Sequence, residues 1–325
     1  MATQRIYKIV IGVIISLSAL IYAFHGVRPQ ELIDELKNAS ASSLVVAGLL
    51  LLLGIYVRGF RWALVSGERR KHAALIYTKA IILGAFANQI LPLRAGEFVR
   101  VFALKKLRPV SLAQVIVTSV LDRLVEVFML ILAAAIFISA GYYSHELTYA
   151  AYAIVLLCIV ALLLVSAQFI NKWLVRLFGI ALARFGYDHI NLVRLLNGVF
   201  SNFRSASPWV FMFSLLILLS DYLVATVVIR SIGIDVPFIA PLMLIVFFAF
   251  GSALPSAPAY VGIYQAAAVF VFNQFGVDSY KSLAVATIIQ LVTIVTTLMA
   301  SLWVISSTPK GMLTTVRSSV HVAER

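Results

Sequence analysis

Long apolar runs separated by short polar stretches set the first reading of this chain. A helix needs about 20 apolar residues to cross a bilayer. Runs of that kind fall at 6–24, 43–64, 112–140, 150–168, 209–229 and 283–305. Two further apolar regions, 78–104 and 240–275, are interrupted near their middles by proline and glycine. The first break reads LPLRAG and holds Pro92 and Gly96, with Asn88 just before it. The second reads LPSAPAYVG and holds Pro255, Pro258 and Gly262.

Composition sharpens this into a class. The chain has 325 residues, 62% hydrophobic and only 12% charged. Soluble domains carry about a quarter charged residues, so the pattern belongs to a polytopic membrane protein. The net charge of +13 raises nucleic acid as a partner, but the basic residues flank apolar runs, as orientation signals do. The N-terminal run lacks a clear small-x-small cleavage site after it and reads as an uncleaved first span. The lone cysteine, Cys158, sits in an apolar run and reads as a core residue. The five histidines are scattered without ligand spacing. No metal and no cofactor is therefore expected.

Lysine and arginine set the orientation. Arg5 and Lys8, then Arg58, Arg61, Arg69, Arg70, Lys71 and Lys79, then Lys105, Lys106 and Arg108, all mark the cytoplasmic side. The opposite side carries only Arg28, Lys37, Arg230 and Lys281. For both flanks of 78–104 to be cytoplasmic, that region must enter and leave on one side. The region 240–275 must do the same from the other side. Two complete short crossings in each would satisfy the charges equally. The fold expected is all-α, with about six full spans and two re-entrant broken-helix hairpins in an inverted-repeat-like arrangement. It forms one domain, with halves at about 1–140 and 150–310, a short tail at 311–325, and both termini cytoplasmic. VRPQELIDELKNAS predicts a short interfacial helix with Leu32, Ile33 and Leu36 on one face. Residues 169–204 alternate apolar and basic positions and read as helices lying on the membrane.

Inside hydrocarbon, irregular backbone survives only when buried in protein or lining a wet cavity. Paired Pro/Gly breaks in two halves point to a transporter site. Charges reinforce this. Glu97, Asp122, Glu126 and Asp221, with Arg94, Arg100 and Arg123, lie within apolar segments. Each charge at a helix centre costs about 2.5–3.5 kcal/mol, so seven unpaired ones would cost on the order of 20 kcal/mol. They must pair or meet water. Asp122 and Glu126 share a helix face, Arg123 can join Glu126, and Arg94 or Arg100 is the expected partner of Asp122 or Glu126. Such a cluster serves either as a structural knot or as an arginine-lined seat for an anionic headgroup, since the guanidinium fork binds two oxygens. Asp221 suits an arginine partner. Tyr260, Tyr264 and Gln265 line the second break and offer hydrogen bonds.

The stretch NQILPLRAGEFVRVFALKK, followed by DRLVE and later by LPSAPAYVGIYQAAAVFVFNQFGV, resembles the lysylphosphatidylglycerol synthase transmembrane region, a flippase-like family. Asn88, Pro92, Arg94, Gly96, Glu97 and Arg100 match its first block. Asp122, Arg123 and Glu126 match the helix after it, and Pro255, Pro258 and Gly262 match the second block. The family often has glycine and glutamate where this chain has Ala259 and Gln265, which implies a less strained turn at Ala259. The resemblance implies an inner-membrane protein that moves lipids or lipid-linked groups. It does not imply lipid aminoacylation here, because no soluble synthase domain follows. The expected function is translocation of an anionic phospholipid or a polyprenyl-phosphate-linked lipid, without enzyme activity. The alternatives are a membrane-embedded headgroup transferase and a scaffold for a lipid- or glycan-synthesis enzyme. Membrane lipids are the expected partners, with such an enzyme and a homodimer left open. No ATP-binding motif is present, so energy would come from gradients or from a partner.

Overall fold

The computed structural model describes residues 14–91, 94–138, 189–254 and 256–308. The described residues are helical and contain no strand. In chain order the helices are α1 (Ile14–Phe24), α2 (Pro29–Asn38), α3 (Ala41–Val65), α4 (Lys71–Ile90), α5 (Gly96–Leu107), α6 (Leu112–Phe137), α7 (His189–Ser231), α8 (Ile239–Ala253), α9 (Ile263–Asn273) and α10 (Ser279–Ser306). A single 3₁₀ turn, Pro258–Tyr260, precedes α9. The expected span at 150–168, the segments around it, Pro92, Pro255 and the tail at 311–325 lie outside the described residues.

Four helical stretches are long and apolar enough to cross a membrane: Ala41–Val65, His72–Ile90, Val193–Ser231 and Ser279–Ser306. They include the runs expected at 43–64, 209–229 and 283–305. α6 covers the run expected from 112, and at 26 residues it is about 39 Å long. Ser111 starts α6 by accepting the Gln114 N–H on its side chain at 3.1 Å. α2 begins with Pro29 in its first turn and carries Glu31 early and Lys37 late, matching the helix dipole.

One expectation is corrected. Residues 189–204 do not form a separate helix lying on the membrane. They are the first part of α7, a continuous helix of 43 residues with Pro208 inside it. Leu196, Val199, Phe200, Phe203, Ala206 and Val210 recur at helical spacing and are all buried. That continuous apolar face needs a packed partner, and a solvated surface helix would not provide one.

The described residues divide into two compact units whose boundaries fall within helices. Of the described residues, one unit holds those within 14–55, 79–103 and 217–308, and the other those within 56–78, 104–138 and 189–216. The second unit has its own core, in which Leu64 and Val65 of α3 and Ala113, Val117, Leu121 and Val125 of α6 join the α7 face just named. In the first unit, α9 packs on α8 and α10, and α10 packs on α2. A small cluster of Ala23, Val269 and Leu283, flanked by Val27, Leu32 and Ala266, ties α1 and α2 to α9 and α10.

Alongside these apolar cores, stretches of α7 and α10 bury small polar groups and expose large apolar ones. On α10, Ser282, Gln290, Thr297 and Ser301 are buried, while Leu291, Val295, Leu298, Met299 and Leu302 are exposed. On α7, Ser214 and Ser220 are buried and Leu215, Leu216, Leu219 and Leu223 are exposed. A water-soluble helix has the opposite arrangement. This one suits a lipid surround, where small residues and interhelical hydrogen bonds make the contacts. Gly48, for example, leaves room on α3 for Thr296 of α10, whose Oγ1 would stand 3.2 Å from an added Cβ.

Candidate functional site

Each break is the tip of an antiparallel helical hairpin. In the first, α4 and α5 run so close that a Cβ on Gly96 would lie 2.0 Å from the carbonyl oxygen of Gly84. A Cβ on Gly84 would lie 2.7 Å from Cβ of Arg100. Asn88 Oδ1 accepts the Gly96 N–H at 2.8 Å, satisfying a donor at the start of α5. Passing back along α4 from Asn88 to Gly84 thus passes forward along α5 from Gly96 to Arg100. Arg100 is buried and its Nε lies 2.9 Å from Glu97 Oε2.

The second hairpin follows the same plan. A Cβ on Gly251 of α8 would lie 2.6 Å from Cγ2 of Ile263 on α9. Phe248 stacks on Tyr264 with ring centroids 4.2 Å apart and planes 1° apart. Phe247 meets Phe270 further along at 5.1 Å. The tip itself is strained. Ala259 and Tyr260 adopt φ of 56° and 59°, left-handed values that cost an L-residue roughly 1–2 kcal/mol. The expectation of a relaxed turn at Ala259 is therefore wrong: the backbone keeps a glycine-like conformation although the residue carries a Cβ.

Side-chain amides hold that turn. Gly262 N–H donates to Gln265 Oε1 at 2.8 Å, and Gln265 Nε2 donates to Gln290 Oε1 at 2.9 Å. Gln290 Nε2 then donates to the carbonyl of Ala259. Both glutamines are buried, so each bond replaces one that water would otherwise make. From α1, Ser16 Oγ accepts the Ala257 N–H at 2.8 Å. Gly262 has φ 88°, and a Cβ there would lie 2.3 Å from the Ser16 carbonyl oxygen. Glycine is required at that position by conformation and by space.

The two tips meet at Arg94. This residue also has a left-handed φ, 56°. Its Nη2 donates to Ser252 Oγ at the end of α8. Its guanidinium carbon stands 5.9 Å from the Tyr260 ring centroid. Tyr260 stacks on Tyr264 at 5.2 Å, and Tyr264 on Phe248, so a column of three rings ends in a cation. Among the described residues, all three non-glycine positions with positive φ (Arg94, Ala259 and Tyr260) lie at these tips. Strain of this kind gathers at functional sites and needs surroundings that over-determine it.

The expected pairing of Arg94 with Asp122 or Glu126 is corrected. The polar partners of Arg94 come from the second break, and among the described residues no carboxylate pairs with it. Asp122 has a partner that charge-flank reasoning misassigned. Arg61, expected among the cytoplasmic flanking residues, is 1% exposed and donates from Nε to Asp122 Oδ1 at 2.8 Å. It also donates to Ser214 Oγ at 3.2 Å and approaches Glu126 Oε2 at 3.7 Å. Arg123 does join Glu126, at 2.5 Å. The physical reason for the error is helix length. α3 runs on to Val65, so Arg61 lies inside the helix, against α6 and α7, before the chain reaches a loop.

Asp221 is half-buried on α7. Sequence reasoning missed Ser16, Ser252, Gln290 and Arg61. Gln290 had a signal, as an amide inside the apolar stretch ATIIQLVTIV, and Arg61 had one inside the run 43–64. Nothing in the local sequence marks Ser16 or Ser252.

Residues 9–301 match the lysylphosphatidylglycerol synthase TM region. The chain belongs to this family. With its apolar helices, that makes it a multi-pass membrane protein of the lysylphosphatidylglycerol synthase transmembrane kind. The chain is also similar to a protein of Haloferax volcanii named glycosyltransferase AglD, with 28% identity over 371 aligned residues that cover 99% of this chain. The chain spans 58% of that relative's length.

Proposed function

We propose that this family member is a lipid translocase of the cytoplasmic membrane. It moves an anionic phospholipid or a polyprenyl-phosphate-linked lipid, and the two broken hairpins are re-entrant, one from each side. The observation that carries the reading is the meeting of both hairpin tips at Arg94, an arginine with no carboxylate partner among the described residues. An arginine placed at membrane depth costs about 2.5–3.5 kcal/mol even on insertion scales. A bound headgroup oxyanion offsets that cost. α8 and α9, with 15 and 11 residues, reach only about 22 and 16 Å. Each is too short for a bilayer core of about 30 Å, which favours a segment that turns back within the membrane at the second break, while α4 of the first hairpin is itself long enough to cross.

The test uses purified protein in liposomes with headgroup-labelled lipids. Wild type accelerates the change in headgroup exposure between leaflets, and Arg94→Ala removes the acceleration. Equal rates for the two proteins sink the translocase reading. Topology is tested after Cys158→Ser, with single cysteines at Leu91 and Val261. They react with impermeant reagent from opposite sides, whereas labelling of both from one side rules out opposed re-entry.

A second reading rests on the relative named as a glycosyltransferase, which extends well beyond the part aligned here. In this reading the chain serves a separate lipid- or glycan-synthesis enzyme as its membrane partner. Co-purification of such an enzyme, with no change in headgroup exposure in liposomes, favours it over translocation.

A further inference from the structure

We propose that α1 is a latch on the second hairpin: it swings aside to let a lipid headgroup reach Tyr260 and Arg94, and Ser16 holds it shut. The latch rests on the translocase reading, and its parts belong to one compact unit.

α1 lies along α9. At its start, Ser16 Oγ accepts the Ala257 N–H at 2.8 Å. A Cβ on Gly262 would lie 2.3 Å from the Ser16 carbonyl oxygen and 3.1 Å from Cγ of Leu20. Further on, Ala23 packs in one cluster with Val269 and Leu283. Passing from Ser16 to Ala23 thus matches passing from Gly262 to Val269, two helical turns along each. α1 therefore runs in the same direction as α9 and covers the turn before it.

That seat is shallow. Of α1, only Ser16 and Ala23 are buried, and both are small. Ile14, Leu17, Ile21, Tyr22 and Phe24 are exposed. α10 grips the same turn from another side, where Gln290 Nε2 donates to the Ala259 carbonyl. Unlike α1, it buries Leu283, Ala284, Val285 and Ala286 in succession. Lipid tails are as apolar as leucine, so a membrane helix is held by close packing and hydrogen bonds. α10 has a broad packed face, whereas α1 has a narrow seam and the Ser16 bond. α1 is the wall that can part from the turn, and α10 is the wall that stays.

Parting exposes a donor. Ala257 N–H loses its acceptor, and a backbone donor inside a membrane needs another. Lipid tails offer none, but a headgroup oxygen does. Ala257 stands just before the strained pair Ala259 and Tyr260, and the Tyr260 ring meets the Arg94 guanidinium. A headgroup that replaces Ser16 on Ala257 makes a contact found only in the open state, so its arrival favours opening.

The experiment uses the full chain carrying Cys158→Ser. Ser16→Cys and Ala257→Cys are introduced together and joined by oxidation, with the bond verified by mass spectrometry. The probe is headgroup-labelled phosphatidylglycerol in liposomes of phosphatidylcholine and phosphatidylglycerol. Reduced protein is expected to move the probe, cross-linked protein to fall to the protein-free rate, and dithiothreitol to restore movement. Cross-linked protein that moves the probe at the reduced rate overturns the proposal. A second measurement needs no transport. Ala23→Cys, at the far end of the seam, is labelled by a small maleimide in detergent, with and without Ser16→Ala. Loss of the Ser16 hydroxyl is expected to speed labelling about threefold, the weight of one interhelical hydrogen bond in a membrane protein. If Ser16 only braces the turn, the far end of α1 stays put and labelling is unchanged, which overturns the proposal. If Ala23→Cys does not fold, Val269→Cys in the same cluster replaces it, and if the cysteine pair does not join, the labelling result alone decides. Faster labelling with no lipid movement by wild type leaves the latch and removes the translocase. Lipid movement that survives the cross-link does the reverse.

Discussion

Replacing Asp122 with leucine and Arg61 with methionine, singly and together, tests whether this pair is a structural lock. In the folded protein the side chains are 2% and 1% exposed, with Arg61 Nε 2.8 Å from Asp122 Oδ1. Arg61 has three further anchors, Ser214 Oγ at 3.2 Å, the Asp122 carbonyl at 3.4 Å and Glu126 Oε2 at 3.7 Å. Removing the Asp122 carboxylate leaves a buried guanidinium with one distant carboxylate, a hydroxyl and a backbone carbonyl. Removing Arg61 leaves a buried carboxylate. Breaking one side of a buried pair costs roughly 3–5 kcal/mol, while replacing both partners with apolar groups of similar volume is often neutral or better. The expected result is therefore two severe single variants and a double variant near wild type, with a coupling of at least about 2 kcal/mol. Equilibrium unfolding in mixed micelles, read by loss of helical signal, gives the four free energies. Additivity within about 0.5 kcal/mol, the range seen for independent sites, would refute the lock. A double variant near wild type would place Asp122 in the structural frame.

Gly96→Ala places a methyl 2.0 Å from the Gly84 carbonyl oxygen, a backbone atom that cannot swing aside. A loss of about 1–3 kcal/mol is expected in the same unfolding assay, and an unchanged midpoint would contradict the close hairpin. Ala259→Gly relieves a left-handed alanine at φ 56° and is expected to raise stability by up to about 1 kcal/mol after the entropy that glycine adds to the unfolded chain. A loss of stability would mean that the turn is not left-handed there. Gln290→Leu strands the Ala259 carbonyl and the Gln265 amide and should cost about 1–3 kcal/mol. Hydrogen exchange at Gly262 should quicken with it, and unchanged protection would show that the amide chain does not hold the turn.

Much of the frame was legible in one dimension because a bilayer imposes a one-dimensional rule. A spanning helix must be long and apolar, so α3, α6 and α10 could be placed from their runs to within a few residues. The breaks at LPLRAG and LPSAPAYVG were legible because each combines Pro with Gly inside an apolar run, whereas Pro208 alone leaves α7 continuous. The pairing of Arg123 with Glu126 follows from helical spacing alone.

Partner choice across the chain was not legible. Arg61 reads as a flanking charge until α6 and α7 are folded against α3, which brings together residues 61, 122 and 214. Arg94 reads as a mate for Asp122 until Ser252 and Tyr260, more than 150 positions away, are brought to it. The exposed and buried faces of α7 and α10 are also decided in three dimensions, because nearly every residue there is apolar and periodicity carries little contrast. The sequence by itself therefore determined which segments are helical, where they break and which carry charge. Only the tertiary structure decided which charge answers which, because ion pairs and hydrogen bonds act over a few ångströms of space, whatever the distance along the chain.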